Sequence, residues 1–69
     1  MGLTVRLNGA EETIEPATLI DLLRARGIDP AARGVAVAVN GAVVRRAAWT
    51  TTEIKAGDAI EIVRPFSGG

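Results

Sequence analysis

The sequence predicts an α+β domain in which a mixed sheet of four or five strands packs against one helix. Three observations predict it: short segments that alternate apolar and polar residues, one segment with helical spacing, and Asn-Gly pairs between strands. The chain has 69 residues, which allows one domain with a small core. We expect residues 1–64 to form this domain and residues 65–69 to form a flexible C-terminal tail.

The first two strands are predicted to form a hairpin. Residues 3–8 alternate strictly between apolar and polar side chains, as is typical of a half-buried strand. Asn8 and Gly9 follow, and this dipeptide favours a tight turn because both positions accept positive φ. Residues 10–15 return as a polar strand whose glutamates would discourage the addition of a further strand at that edge.

The helix is predicted over residues 18–27, where leucines recur at helical spacing. Thr18 suits the N-cap, and Asp21 lies in the first turn, where the helix dipole favours an anion. Gly27 suits the left-handed position that follows a helix, and Pro30 prevents continuation.

Three further strands complete the predicted sheet. They are residues 34–41, 42–46 and 59–64. The first of them is the most apolar and is expected inside the sheet. Residues 47–58 form an irregular connection anchored by Trp49 and Ile54, and Pro65 ends the last strand because it cannot donate a ladder hydrogen bond. Arg45 and Arg46 would point to opposite sides of a strand, and solvated charges are favoured over a contact with a partner.

The element order predicts a β-grasp. One helix covers one face of such a sheet. The first and last strands are expected to be parallel neighbours, because a long connection that contains the helix separates them.

Composition excludes several classes of function. Eight basic and eight acidic residues cancel, so no charge excess favours nucleic acid or an anionic membrane. Cysteine and histidine are absent, which removes disulfides, thiolate metal sites and the usual general base. No signal segment opens the chain and no apolar run approaches transmembrane length, so we expect a cytoplasmic protein. If the chain carries a reactive group, its terminal carboxylate is a reasonable candidate.

Three stretches carry a resemblance to a known family. They are VAVNGAVVRRAAW (37–49), IKAGDAIEIV (54–63) and the terminal Gly68-Gly69. Together they resemble the ThiS family, ubiquitin-like β-grasp proteins that carry sulfur for the thiazole of thiamine, and the resemblance covers essentially the whole chain. It implies a carrier that is a co-substrate of partner enzymes and not an enzyme itself.

The resemblance also implies a mechanism. An E1-like adenylyltransferase of the ThiF type would use ATP to adenylate the carboxylate of Gly69. Sulfur from a persulfide donor, such as a cysteine desulfurase, would replace AMP and leave a thiocarboxylate. A ThiG-type thiazole synthase would then accept the sulfur. The carrier itself would bind no cofactor and no metal, because ATP is used by the activating partner.

This mechanism gives a physical reason for a tail that ends in small residues. Gly69 would be the covalent attachment site, and Ser67 and Gly68 would extend the tail. Glycines without Cβ atoms can enter a narrow channel. The five residues after Arg64 would reach roughly 15–18 Å when extended. The alternative is that Gly68 and Gly69 are an inert terminus.

The partner surface is predicted from four residues. Phe66 either folds back on the sheet or anchors the tail in a partner pocket, and the second interpretation is favoured. Val63, Ala38 and Ala36 would form an apolar patch on the face away from the helix, with Ala59 as a further candidate. The sequence is equally consistent with the alternative that these residues are simply tolerated in strands and form no docking surface.

Three other functions stay open. The chain could carry sulfur for molybdopterin, cysteine or siderophore pathways, although the molybdopterin subunit is usually longer and has extra helical material in mid-chain. It could be a protein modifier joined to lysines through Gly69. It could also be a β-grasp interaction module whose tail has no function.

Overall fold

The computed structural model describes residues 2–65, and its elements follow the predicted order. They are β1 (Leu3–Leu7), β2 (Ala10–Ile14), α1 (Leu19–Ala25), β3 (Ala36–Val39), β4 (Ala42–Val44), a 3-10 helix (Arg46–Ala48) and β5 (Ala59–Val63). The predicted elements are confirmed, and their observed bounds lie within two residues of the predicted ones.

The five strands form one mixed sheet in the order β2-β1-β5-β3-β4. β5 is parallel to β1 and antiparallel to β3, and both hairpins are antiparallel. One helix packs on this sheet, so the ubiquitin-like β-grasp is confirmed. The last strand of the chain lies at the centre of the sheet, and the glutamate-rich β2 lies at an edge.

Both hairpins turn on an Asn-Gly pair with positive φ. Asn8 and Gly9 have φ of 51° and 85°, and Asn40 and Gly41 have φ of 53° and 84°. Positive φ at both central residues defines the two-residue turn whose twist matches antiparallel strands. The turns therefore fix the register of β1 with β2 and of β3 with β4.

The helix begins and ends at the residues that its sequence predicts. The Thr18 hydroxyl accepts a hydrogen bond from the Asp21 amide at 3.3 Å. At the other end Gly27 has φ of 73°, its amide donates to the Arg24 carbonyl, and the Ile28 amide donates to the Leu23 carbonyl. These two bonds satisfy carbonyls that the helix end would otherwise leave unpaired.

The core lies between the helix and one face of the sheet. The largest fully buried side chains are Val5, Leu19, Leu22, Leu23, Val37, Trp49 and Ile60. Trp49 and Ile54 are both buried, which confirms them as the anchors of the connection before β5. Within residues 2–65, neither helix is long and apolar enough to cross a bilayer.

The predicted strand position of Arg46 is wrong, although its side chain is exposed as expected. Arg46 lies in the 3-10 helix and not in a strand, and its guanidinium donates to the carbonyls of Pro30 and Ala32. The same guanidinium lies 4.9 Å from the centre of the Trp49 ring. The exposed side chain therefore also ties the loop after the helix to the connection before β5.

Candidate functional site

The C-terminal segment leaves the domain from the end of the central strand. β5 ends at Val63, and Arg64 and Pro65 follow with exposed side chains. Pro65 packs against Gly34, where a Cβ atom would lie 3.2 Å from the Pro65 Cδ atom. Gly34 has φ of 82°, so a side chain there would be strained for two reasons.

Apart from Pro65, the predicted tail lies outside the described residues. This applies to Phe66, Ser67, Gly68 and Gly69. Their assigned roles as partner anchor, extension and attachment site stay predictions.

The end of β5 that leads to the tail is held by Asn8. The Asn8 amide donates to the Ile60 carbonyl at 2.9 Å, and the Asn8 side-chain oxygen accepts from the Ile62 amide at 2.8 Å. The sequence predicted Asn8 only as a turn residue. Its contact with Ile62 joins residues 54 positions apart, so no local pattern could have indicated it.

The beginning of β5 is held by Asn40 in the same way. The Asn40 amide donates to the Ala59 carbonyl at 2.7 Å, and its side-chain oxygen accepts from the Ala59 amide at 3.0 Å. The Asn40 side-chain nitrogen also donates to Asp58 at 3.1 Å. Both turn asparagines therefore use a side-chain carbonyl as a ladder acceptor for the central strand.

The predicted apolar patch is present on the face away from the helix. Ala36 lies opposite Val63 across the β3–β5 ladder, and Ala38 lies in the next row of the same face. Val63 is 61% exposed, and Ala36 is exposed while Ala38 is half-buried. Ala59 lies opposite Asn40 at the far end of β5, so it does not extend this patch.

Val43 belongs to this patch and was not predicted. It lies opposite Ala38 in β4 and is 79% exposed, the highest value among the large apolar side chains of residues 2–65. The Asn40-Gly41 turn could have indicated it, because a two-residue turn places residue 38 opposite residue 43. We define the sheet patch as Ala36, Ala38, Val43 and Val63.

A cleft of about 390 Å³ lies on the helix side of the same strand end. Its lining includes the apolar side chains of Leu7, Ile28 and Ile62 and the charged side chains of Glu12, Arg26 and Arg64. Arg26 forms an ion pair with Glu12, which joins the end of the helix to the edge strand. The end of β5, from which the chain continues towards the tail, therefore has the sheet patch on one face of the sheet and this cleft on the other.

Within residues 2–65, no three carboxylates lie close enough together to hold a metal ion. The described surface combines a patch of exposed valines with a strand end that carries the C-terminal segment.

The comparison with protein families gives the family. The ThiS family model matches residues 3–69, and the chain belongs to this family. No match was found among curated proteins.

Two solved structures of one relative support the same conclusion. The chain is 33% identical to the thiamine biosynthesis protein ThiS of Geobacter metallireducens, in a crystal structure with a TM-score of 0.77. That alignment covers 97% of this chain and 100% of the relative. The solution structure of a thiamine biosynthesis protein from the same organism gives the same identity and TM-score over 97% and 88% of the two chains. Members of the family are small sulfur carrier proteins, and membership supports a carrier role in thiamine biosynthesis.

Proposed function

We propose that this protein is a sulfur carrier that is adenylated and then thiocarboxylated at Gly69 and that donates its sulfur for thiazole formation in thiamine biosynthesis. The observation that carries the proposal is the extent of the family match, which runs from residue 3 to residue 69. The match therefore includes Gly68 and Gly69, the residues that the mechanism uses.

The chemistry follows from the weakness of a carboxylate as an electrophile. Its negative charge repels nucleophiles, and it has no good leaving group. Attack of the Gly69 carboxylate on the α-phosphorus of ATP releases pyrophosphate and gives an acyl adenylate. The terminal sulfur of a persulfide donor then attacks the acyl adenylate and displaces AMP, which gives an acyl disulfide. A thiol then attacks the donor sulfur of this S–S bond, so that the terminal thiocarboxylate is released and a disulfide is left on the donor.

The fold supports presentation of that carboxylate to other proteins. The ladder ends at Val63, and five residues follow Arg64. Extended, they reach roughly 15–18 Å, which is enough to enter an active site while the domain stays outside. Ordering such a tail costs conformational entropy, so contacts of the domain must supply the affinity.

The sheet patch is the surface that we propose for those contacts. Val63 and Ala36 lie where the tail begins, and Val43 extends the patch across β3. Phe66 is proposed to bind in a partner pocket. The partners would be a ThiF-type adenylyltransferase and a ThiG-type thiazole synthase, with a sulfur donor such as a cysteine desulfurase. The carrier would bind no cofactor, because ATP is consumed by the adenylyltransferase.

Intact mass measurement tests the reaction. The full-length protein is incubated with the E1-like enzyme of the same organism, ATP and a sulfur donor. We expect a mass increase that corresponds to one oxygen replaced by sulfur, located by fragmentation at Gly69. An unchanged mass, or a shift located elsewhere, would contradict the proposal.

Gene deletion tests the pathway. We expect a thiamine requirement that the thiazole precursor relieves and that a plasmid copy of the wild-type gene abolishes. A requirement for molybdopterin, cysteine or a siderophore would assign the same chemistry to another pathway. Conjugates of higher mass on target lysines would instead identify a protein modifier.

A further inference from the structure

Asn8 lies beside the end of β5, and the proposed function assigns it no role. We infer that Asn8 is a positioning residue, whose side-chain oxygen holds the end of β5 and so fixes the point from which residues 65–69 leave the domain. This role rests on the proposed function, because a fixed starting point matters only for a tail that reacts.

The β1–β5 ladder shows what the side chain replaces. The Arg6 amide donates to the Asp58 carbonyl at 2.9 Å, and the Asn8 amide donates to the Ile60 carbonyl at 2.9 Å. In a parallel ladder the next acceptor would be the Asn8 backbone carbonyl. The chain turns there, and the Asn8 side-chain oxygen accepts from the Ile62 amide at 2.8 Å instead. The ladder is thereby extended by one bond beyond the end of β1.

This bond restrains the last residues before the tail. Without it, Ile62 and Val63 would be held on one side only, by their β3 partners Val37 and Ala36. A looser strand end lengthens the segment that must be ordered in a partner site, and the effective concentration of the reacting carboxylate falls. The net contribution of one hydrogen bond corresponds to about a 2- to 10-fold change in an equilibrium constant.

Asn40 provides a matched control within the same sheet. It occupies the same position of the same kind of turn, with φ of 53° against 51° for Asn8. Its side-chain oxygen also accepts from a β5 amide, that of Ala59, but at the end of β5 opposite to the tail. It makes one additional hydrogen bond, to Asp58 at 3.1 Å, so its loss is at least as disruptive to the fold.

The experiment compares Asn8→Gly with Asn40→Gly in the full-length chain. Glycine keeps the positive φ of the turn without strain and removes the side-chain acceptor. Two quantities are measured at a temperature at which circular dichroism shows all variants folded. The first is the rate of ATP–pyrophosphate exchange by the activating enzyme of the same organism, as a function of carrier concentration. The second is amide hydrogen exchange at Ile62.

We expect Asn8→Gly to lower kcat by about 2- to 10-fold and to speed hydrogen exchange at Ile62 by a similar factor. The KM for the carrier should stay within about twofold, because the sheet patch is unchanged and binding energy shared by ground and transition states is retained. Asn40→Gly should leave kcat within about twofold of wild type. Asn8→Asp should restore kcat, because a carboxylate oxygen can accept from the Ile62 amide and Asp tolerates the turn.

Three results would overturn the role of Asn8 while the proposed function stands. They are an equal loss of kcat in Asn8→Gly and Asn40→Gly, faster exchange at Ile62 with unchanged kcat, and no recovery in Asn8→Asp. A wild-type carrier that supports no exchange above background would instead overturn the proposed function itself, and the role of Asn8 with it.

Discussion

At the scale of single residues, two adjacent arginines have different roles. The Arg46 guanidinium donates to two carbonyls of the loop after the helix and lies over the Trp49 ring. Arg45 precedes the 3-10 helix, is exposed, and makes no side-chain cap hydrogen bond to it. From the sequence alone the two arginines receive the same interpretation, because the contacts of Arg46 are made with residues 14 and 16 positions away.

We expect Arg46→Ala to lower the free energy of unfolding by about 1–2 kcal/mol, because two charge-assisted hydrogen bonds and a cation–π contact are lost at a partly solvated site. Arg45→Ala, its matched control, should change that free energy by less than about 0.5 kcal/mol. Urea denaturation followed by Trp49 fluorescence measures both. Equal losses in the two variants would show that charge alone accounts for the effect.

At the scale of elements, β4 contributes to the proposed partner surface although it has only three residues. Val43 is 79% exposed, and its neighbour Ala38 connects it to the strand that leads to the tail. Exposed apolar groups that lie together are more informative about an interface than isolated ones. The surface therefore combines residues from three strands, and no single strand would have revealed it.

Val43→Glu is expected to raise the Kd for the activating enzyme by roughly 10-fold, because an anion would replace the most exposed apolar side chain of the sheet patch. Thr13→Glu places the same charge on the edge strand β2, away from the patch, and should leave the Kd within about twofold. Titration calorimetry with the purified enzyme measures both. Indistinguishable Kd values for the two variants would remove the patch from the interface.

The helix and strands could be predicted because their signals are local. Thr18 and Gly27 mark the helix ends through hydrogen bonds to neighbours three or four residues away. Asn8-Gly9 marks a turn through its own backbone preference. The roles of Asn8 and Arg46 could not be predicted, since each depends on where distant backbone lies. Val43 is intermediate: the turn fixes its register, but its exposure depends on β4 being an edge strand.

At the scale of the whole molecule, the residues that form the core and the residue that is proposed to react lie in separate parts of the chain. Every buried apolar residue among residues 2–65 lies between Val5 and Ile60. The proposed reactive group, at Gly69, lies beyond the last of them. Stability and sulfur transfer should therefore respond to different changes.

Deletion of Gly68 and Gly69 should leave the melting temperature within about 2 °C of wild type, because surface changes away from the core usually alter stability little. The same deletion should abolish thiocarboxylate formation, since the carboxylate would end too far from the activating site. Addition of one alanine after Gly69 is a second test, because it keeps the glycines but displaces the carboxylate. Calorimetry and intact mass measure the two properties, and a thiocarboxylate on the truncated chain would contradict the assignment of Gly69.

The position of β5 has a consequence for biosynthesis. The β1–β2 and β3–β4 hairpins both leave the ribosome before β5, yet they meet only through it, because β5 lies between them in the sheet. A chain that stops short of β5 has two hairpins and no strand to join them, with apolar faces open to aggregation and proteolysis. The strand that completes the domain is also the strand that carries the tail. Under the proposed function, a chain could therefore be adenylated only after the strand that completes the fold has been made.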